Sequence, residues 1–241
     1  MIRLLPFAET DGATNMAADE TLVRSAADGI ASLRFYRWTT ATVSLGYFQP
    51  ASVRLTDPLL APLPFVRRPS GGATLVHHHE ITYALALPQG RCWQAGDSWL
   101  VRMHRIISRA LGDLGVPVLF MADAVSKHGD VLCFQQFAVG DVLCHGKKVV
   151  GSAQRKFHQA LMQHGSILLA QSEHASALPG IRELTGISIG DGVLCEAVRS
   201  SMQKTTPSWR IEDAVWTEEE MRLTAELAAD KYSKSAWNEK R

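Results

Sequence analysis

Cys133 and Lys148, fifteen residues apart, are the two side chains of this sequence best suited to covalent chemistry. A thiol attacks as its thiolate, and an ammonium nearby favours that charged form. Val139 to Cys144 reads as a strand, His145-Gly146 as a tight turn, and Lys148 to Gly151 as the start of a return strand. Such a hairpin would carry Lys148 back toward Cys133. The spacing is not specific by itself: a free cysteine is more often a small buried apolar residue, and a lysine after a turn is more often solvated. Cys144 and Cys195 are read in that structural way, and Lys147 as the solvated neighbour of Lys148.

Three further segments hold reactive side chains. Arg67-Arg68-Pro69-Ser70-Gly71-Gly72 sets two guanidiniums beside a glycine pair that lets backbone pass close to a ligand. It is equally the composition of a surface hairpin, and it is not a phosphate loop of the G-x-x-x-x-G-K-[ST] kind. His77-His78-His79-Glu80 invites a metal, since His77 and His79 would share a strand face and Glu80 or His164 could add a ligand. The preferred reading is a polar strand end with one histidine in a site wall, and no metal. His164, in Gln163-His164-Gly165, is a candidate general base or a packed strand histidine.

The elements that must position these groups follow from patterning. Ile2 to Phe7 reads as a short edge strand. A helix capped by Thr14 or Asn15 runs to about Ala27 and stops at Asp28-Gly29. Ser32 to Arg37 alternates as a half-buried strand, with Thr42 to Leu45 as its partner across Thr39-Thr40. Pro64 to Arg68 and Ala73 to His77 are strands flanking the Gly71-Gly72 bend, and Ile81 to Leu87 is an apolar strand stopped by Pro88. Ser98 to Leu114 is the clearest helix, with Trp99, Leu100, Met103, Ile106, Ile107, Ala110, Leu111 and Leu114 on one face and Gly115 at its end. Val116 to Phe120 and Leu161 to Leu169 are strands. Residues 172 to 209 resist assignment apart from a short helix near Ile181 to Leu184. The last helix starts at Thr217, with Glu220 completing a capping box, and runs to about Tyr232.

The fold class expected from these elements is α+β: one domain over residues 1–241, with a mostly antiparallel, mixed central sheet flanked by helices. The chain has 241 residues, enough for a full core. With 25 basic and 24 acidic side chains, no net field selects nucleic acid or an anionic membrane. No apolar run reaches the length of a membrane span, and Glu9 and Asp11 come too early for a signal peptide, so a cytoplasmic location is expected. The four cysteines include no C-x-x-C pair.

The wording around Cys133 and Lys148 adds a resemblance. Leu132-Cys133-Phe134, Gly146-Lys147-Lys148-Val149-Val150-Gly151-Ser152-Ala153-Gln154, the Arg67–Gly72 segment and Gln163-His164-Gly165-Ser166 resemble the lipoate- and biotin-protein ligase superfamily. Within it they are most similar to the cysteine-dependent octanoyltransferases of the LipM type. Asn15-Met16-Ala17-Ala18-Asp19-Glu20, Arg34–Trp38, Val43–Gln49 and the tail from Lys231 to Arg241 keep the family's order. The resemblance implies a fold like that of biotin ligases and class II aminoacyl-tRNA synthetases. It implies Cys133 as the acyl-accepting nucleophile and Lys148 beside the acyl group. It also implies an acyl tunnel lined by the Arg67, Arg68, Ser70, Gly71, Gly72 segment, with His77, Gly151, Ser152, Ala153, His164 and Gly165 as further binding residues. The implied reaction needs no cofactor: octanoyl passes from acyl carrier protein to Cys133, then to a lysine of a lipoyl domain such as the glycine-cleavage H protein. An ATP-dependent lipoate ligase, an amidotransferase between lipoyl proteins and a non-catalytic acyl or biotinyl binder are the alternatives. Two departures stand out. The family usually has His-Asp where this chain has His77-His78, and a Pro-Ser-x-Tyr-Glu-Leu stretch where it has Phe137-Ala138-Val139-Gly140-Asp141-Val142.

Overall fold

Apolar runs with no polar face need cover on both sides, and the run from Glu80 to Pro88 lies in the middle of a sheet covered in that way. The structure, a computed structural model, describes residues 1–90, 97–121, 134 and 139–241. In chain order the elements are β1 (Ile2–Leu4), β2 (Ala8–Thr10), α1 (Gly12–Ala27), β3 (Ser32–Trp38), β4 (Thr42–Leu45), β5 (Phe65–Arg67), β6 (Leu75–His77), β7 (Glu80–Pro88), α2 (Trp99–Asp113) and β8 (Val118–Phe120). They continue as β9 (Val142–Cys144), β10 (Lys147–Phe157), β11 (Ala160–Leu168), α3 (Ile181–Thr185), α4 (Asp191–Thr205), β12 (Ile211–Asp213), α5 (Glu218–Leu227) and α6 (Ser235–Asn238). The main sheet runs β12-β1-β3-β7-β11-β10-β9-β8, with β2 also on β3. From β3 to β8 every pairing is antiparallel, while β12, β1 and β2 join in parallel. A second sheet, β5-β4-β6, stands beside it. The class is α+β with a mixed sheet flanked by helices, as the patterning predicts.

Alternation along β7 assigns the two faces. Ile81, Tyr83, Leu85 and Leu87 join the main core with Met103, Ile106 and Ile107 of α2 and Leu194, Val198 and Met202 of α4. Ala86 instead meets Leu22 and Val23 of α1, and Ala84 meets Met16 and Ala17. Small residues on the α1 side let that helix lie close to the sheet.

Five expectations are corrected here. β1 is not an edge strand, because β12 pairs outside it. β3 is buried on both faces rather than one: Arg34 and Tyr36 lie under α1, where Asp19 receives both. β4 is not the partner of β3; it belongs to the second sheet between β5 and β6, and β3 pairs with β7. The 172–209 stretch contains α4, a full helix of 15 residues. Asp11, not Thr14 or Asn15, caps α1 by accepting the Thr14 N–H at 2.9 Å. Elsewhere the boundaries agree closely. Ser98 caps α2, and Thr217 and Glu220 form the expected box at α5.

Candidate active site

Strands β7, β11 and β10 lie side by side in rigid register, and that register builds one wall of a pocket. Thr82, Ser166 and Gly151 form one row across the three strands, and Ala84, His164 and Ala153 the next. The opposite wall comes from the second sheet and the loop before β6. The pocket, its open mouth included, holds about 450 Å³ of space. Met16, Tyr36, Trp38, Leu75 and Phe134 make it mainly apolar, and Arg68, His77 and His164 supply charge or hydrogen bonds.

Two hydrogen-bonded triads lie in its walls. In the first, the Ser70 hydroxyl meets His164 Nε2 at 2.5 Å, and His164 Nδ1 meets Asp19 Oδ2 at 2.8 Å. Asp19 also takes Arg34 Nε at 3.0 Å and the Tyr36 hydroxyl at 3.0 Å. Burial works to raise the Asp19 carboxyl, but the Arg34 charge and the His164 bond outweigh it and hold it below its ordinary range. In the second, Ser44 meets His77 Nε2 at 2.7 Å, and His77 Nδ1 meets Glu80 Oε1 at 2.6 Å. Glu80 also accepts the Thr82 and Ser166 hydroxyls, each at 2.6 Å. Burial holds His77 below its ordinary pKa, so the ring stays neutral. With the Nδ1 proton given to Glu80, Nε2 accepts from Ser44. That hydroxyl in turn accepts from Arg68 Nη1 at 2.5 Å. The His77 ring stacks on Trp38 with centroids 3.9 Å apart.

Lys148 is buried and ion-paired with Asp141 at 2.8 Å, whereas Lys147 is exposed, as strand alternation requires. The β9–β10 hairpin turns at His145 and Gly146, both at positive φ. Its register slips between Lys148 and Val150, a bulge that re-aims the strand beside the pocket. Gly151 then leaves room for the lysine: a Cβ there would lie 2.6 Å from Lys148 Cε and 3.3 Å from the Phe134 ring. The Lys148 ammonium is 5.3 Å from that ring's centroid. Cys133 itself lies outside the described residues.

His104 was not singled out in the sequence, yet it reaches the pocket wall from α2. Its Nδ1 is 2.6 Å from the Gly140 carbonyl, which can only accept, so Nδ1 carries the proton. Burial brings its pKa down to about 4, the Gly140 bond opposing and the Lys148 charge adding to this, so Nε2 is an acceptor. The Ser152 hydroxyl donates to it at 2.5 Å and accepts from the Tyr83 hydroxyl at 2.6 Å. Tyr83 accepts from Gln163 at 2.7 Å. The signal was present: residue 104 falls four after Leu100 and three before Ile107, on the apolar stripe of α2, where a histidine needs partners.

Of the binding residues predicted from sequence, Arg68, Gly72, His77, Gly151, Ser152, Ala153, His164 and Gly165 line this pocket. Ser70 reaches it through His164. Arg67 does not line it. Its guanidinium is fully buried and donates to the carbonyls of Gly46 at 3.0 Å, Gln49 at 2.6 Å and Asn238 at 2.9 Å. It is a structural clamp rather than a group at the mouth. Gly71 lies beside the pocket without lining it, near the Phe48 ring. Gly72 has φ +99°, so Gly72→Val would strain the backbone as well as fill the mouth. The alternative that His77 and His79 pair as metal ligands, which the sequence reading does not prefer, is not supported, because His77 is held by Glu80 and Ser44. Cys144 is buried as expected, while Cys195 is half-buried, its thiol pushed up to about 12 by burial and Asp191.

Comparison with known proteins places the chain in a family. Octanoyltransferase LipM of Kyrpidia tusciae is 30% identical, covering 98% of this chain and 97% of its own. Octanoyltransferase LipM of Halalkalibacterium halodurans is 26% identical over 98% of both. Among solved structures, a lipoate-protein ligase A bound with ATP superposes with a TM-score of 0.80 at 22% identity, covering 98% of both chains. The putative lipoate protein ligase Ta0514 of T. acidophilum with bound lipoic acid gives 0.76 at 20%, covering 99% of this chain and 98% of its own. These two likenesses establish the fold. Residues 11–182 match the lipoyl protein ligase A/B catalytic domain, and the chain belongs to that family.

Proposed function

We propose that this protein is an octanoyltransferase of lipoate biosynthesis that works through a thioester on Cys133. The Cys133 thiolate attacks the carbonyl of an octanoyl thioester, whose donor is the phosphopantetheine of acyl carrier protein, and expels the pantetheine thiolate. The octanoyl chain occupies the apolar pocket between Trp38, Leu75 and Phe134. A lysine amine of a lipoyl domain, such as the glycine-cleavage H protein, then attacks the new thioester, forming the amide and returning the thiolate. His164, with Nδ1 turned to Asp19, keeps Nε2 for the amine's proton, directly or through Ser70. Lys148 stabilises the oxyanion of both steps.

The observation that carries this reading is the meeting of Lys148 with Phe134, the chain neighbour of Cys133, over Gly151 in the pocket wall. Near-full-length similarity to octanoyltransferases supports it. The test is intact mass after incubation with octanoyl-acyl carrier protein. One octanoyl adduct forms without ATP and is lost in Cys133→Ala, while Cys144→Ala and Cys195→Ala keep it. Acylation of a lipoyl domain by Cys133→Ala at the wild-type rate, or only with ATP present, would make the chain a ligase instead.

A further inference from the structure

The structure divides the His77-His78-His79-Glu80 run between two places. His77 and Glu80 serve the pocket, while His78 is half-buried and His79 exposed at the β6–β7 turn. Their rings stack with centroids 3.6 Å apart. Glu173, at the start of the short 3-10 turn Glu173–Ala175, comes up against them. One ligand atom from each of His78, His79 and Glu173 lies within 4.8 Å of the others.

We propose that His78, His79 and Glu173 bind a divalent ion of the zinc class, with water in the fourth position. Glu173 Oε2 is 3.6 Å from His78 Nδ1. That exceeds a good hydrogen bond but suits two ligands of one tetrahedral ion, which with bonds of about 2.1 Å stand about 3.4 Å apart. Two imidazoles and one carboxylate form a donor set that favours zinc over calcium or magnesium. Backbone bonds already hold the two segments together. The His79 carbonyl accepts from Leu169 at 3.0 Å and Ala170 at 3.1 Å, just before the turn that bears Glu173. The Ser172 hydroxyl stands 3.0 Å from His78 Nδ1, a hydrogen bond that an ion on that nitrogen would replace, and accepts the His174 N–H at 3.2 Å. A bound ion would clasp the β6–β7 turn, one residue from His77, to the segment after β11.

The test is calorimetric titration of untagged, metal-free protein with Zn²⁺, and with Co²⁺ followed by visible absorption. The expected result is one saturable site of micromolar strength, with a cobalt spectrum lacking the thiolate charge-transfer band. His79→Ala and Glu173→Gln, both at exposed positions, should each weaken binding at least ~10-fold without altering the fold, while His174→Ala leaves it unchanged. Absence of saturable binding below a millimolar overturns the proposal. So does binding that survives the His79→Ala/Glu173→Gln double variant, or that disappears in Cys133→Ala.

Discussion

Lys148 and Asp141 are a buried pair, and each must be judged with the other. Removing one member of such a pair costs about 3–5 kcal/mol, whereas replacing both by apolar residues is often neutral. Lys148→Ala should therefore lower both stability and octanoyl transfer. The double variant Lys148→Met/Asp141→Leu should recover stability in urea unfolding yet remain inactive, separating the chemical role from the structural one. Lys147→Ala, on the exposed face, should change neither. Recovery of transfer in the double variant would show that the ammonium is dispensable. His104 gives a pH signature. Its pKa is about 4 in the fold against 6.5 for the free side chain, so the unfolded chain binds the extra proton between those values and stability rises with pH across that window. At about 1.4 kcal/mol per unit the full span is worth about 3 kcal/mol, lost as pH falls from 6.5 to 4. Unfolding measured through this range should show a shallower slope in His104→Gln than in the wild type, the remainder coming from His77 and the carboxylates held low by their partners.

Helices with both a cap and a periodic stripe could be read from sequence, and their caps have unequal weight. In the α5 box, Thr217 Oγ1 accepts the Glu220 N–H at 3.1 Å, while Glu220 Oε2 accepts the Thr217 N–H at 3.0 Å. Glu220 also receives Arg3 at 2.6 Å and Ser25 at 2.8 Å, tying α5 to β1 and α1. Thr217→Ala should cost about 1 kcal/mol, an ordinary cap. Glu220→Ala should cost clearly more, as a larger fall in melting temperature, because it also releases Arg3. α4 gave no comparable signal. It begins at Gly190 without a side-chain cap and buries only Leu194, Val198, Ser201 and Met202. The pairing of β3 was missed for a different reason. Thr39-Thr40 is a turn, but the strand after it passes into the second sheet, and nothing local says which sheet a strand will join. Arg34 and Tyr36 looked like a solvent face because alternation cannot show that α1 covers them.

Across the whole molecule, the pocket collects residues from widely separated segments, and the motifs named most of them because each motif is locally dense. The partners that fix their protons were not legible: Asp19, Tyr83 and His104 meet Ser70, His164 and Ser152 only through the sheet and the helices on its two faces. The C-terminal helix is joined to β5 by the same long-range logic. Arg67 donates to the Asn238 carbonyl, its N–H reaches Asn238 Oδ1 at 2.8 Å, and Trp237 Nε1 donates to the Arg67 carbonyl at 2.9 Å. α6 thereby fastens β5 beside the pocket. A lysine cannot reproduce the fork, so Arg67→Lys should leave buried carbonyls unmet and cost about 1–3 kcal/mol, measured by urea unfolding. A variant as stable as wild type would show that the fork is not needed.

The direction of the pocket's hydrogen bonds bears on which acyl chains it would accept. Of the hydroxyls that line the cavity, Ser152, Thr82 and Ser166 turn their protons toward His104 and Glu80. Towards a guest these hydroxyls offer lone pairs and no hydrogens. A saturated hydrocarbon tail is indifferent to that. A tail bearing a keto oxygen would meet acceptor against acceptor, while one bearing a hydroxyl would find partners. Where a guest lies against these three hydroxyls, a keto group would thus be disfavoured more than a hydroxyl at the same carbon.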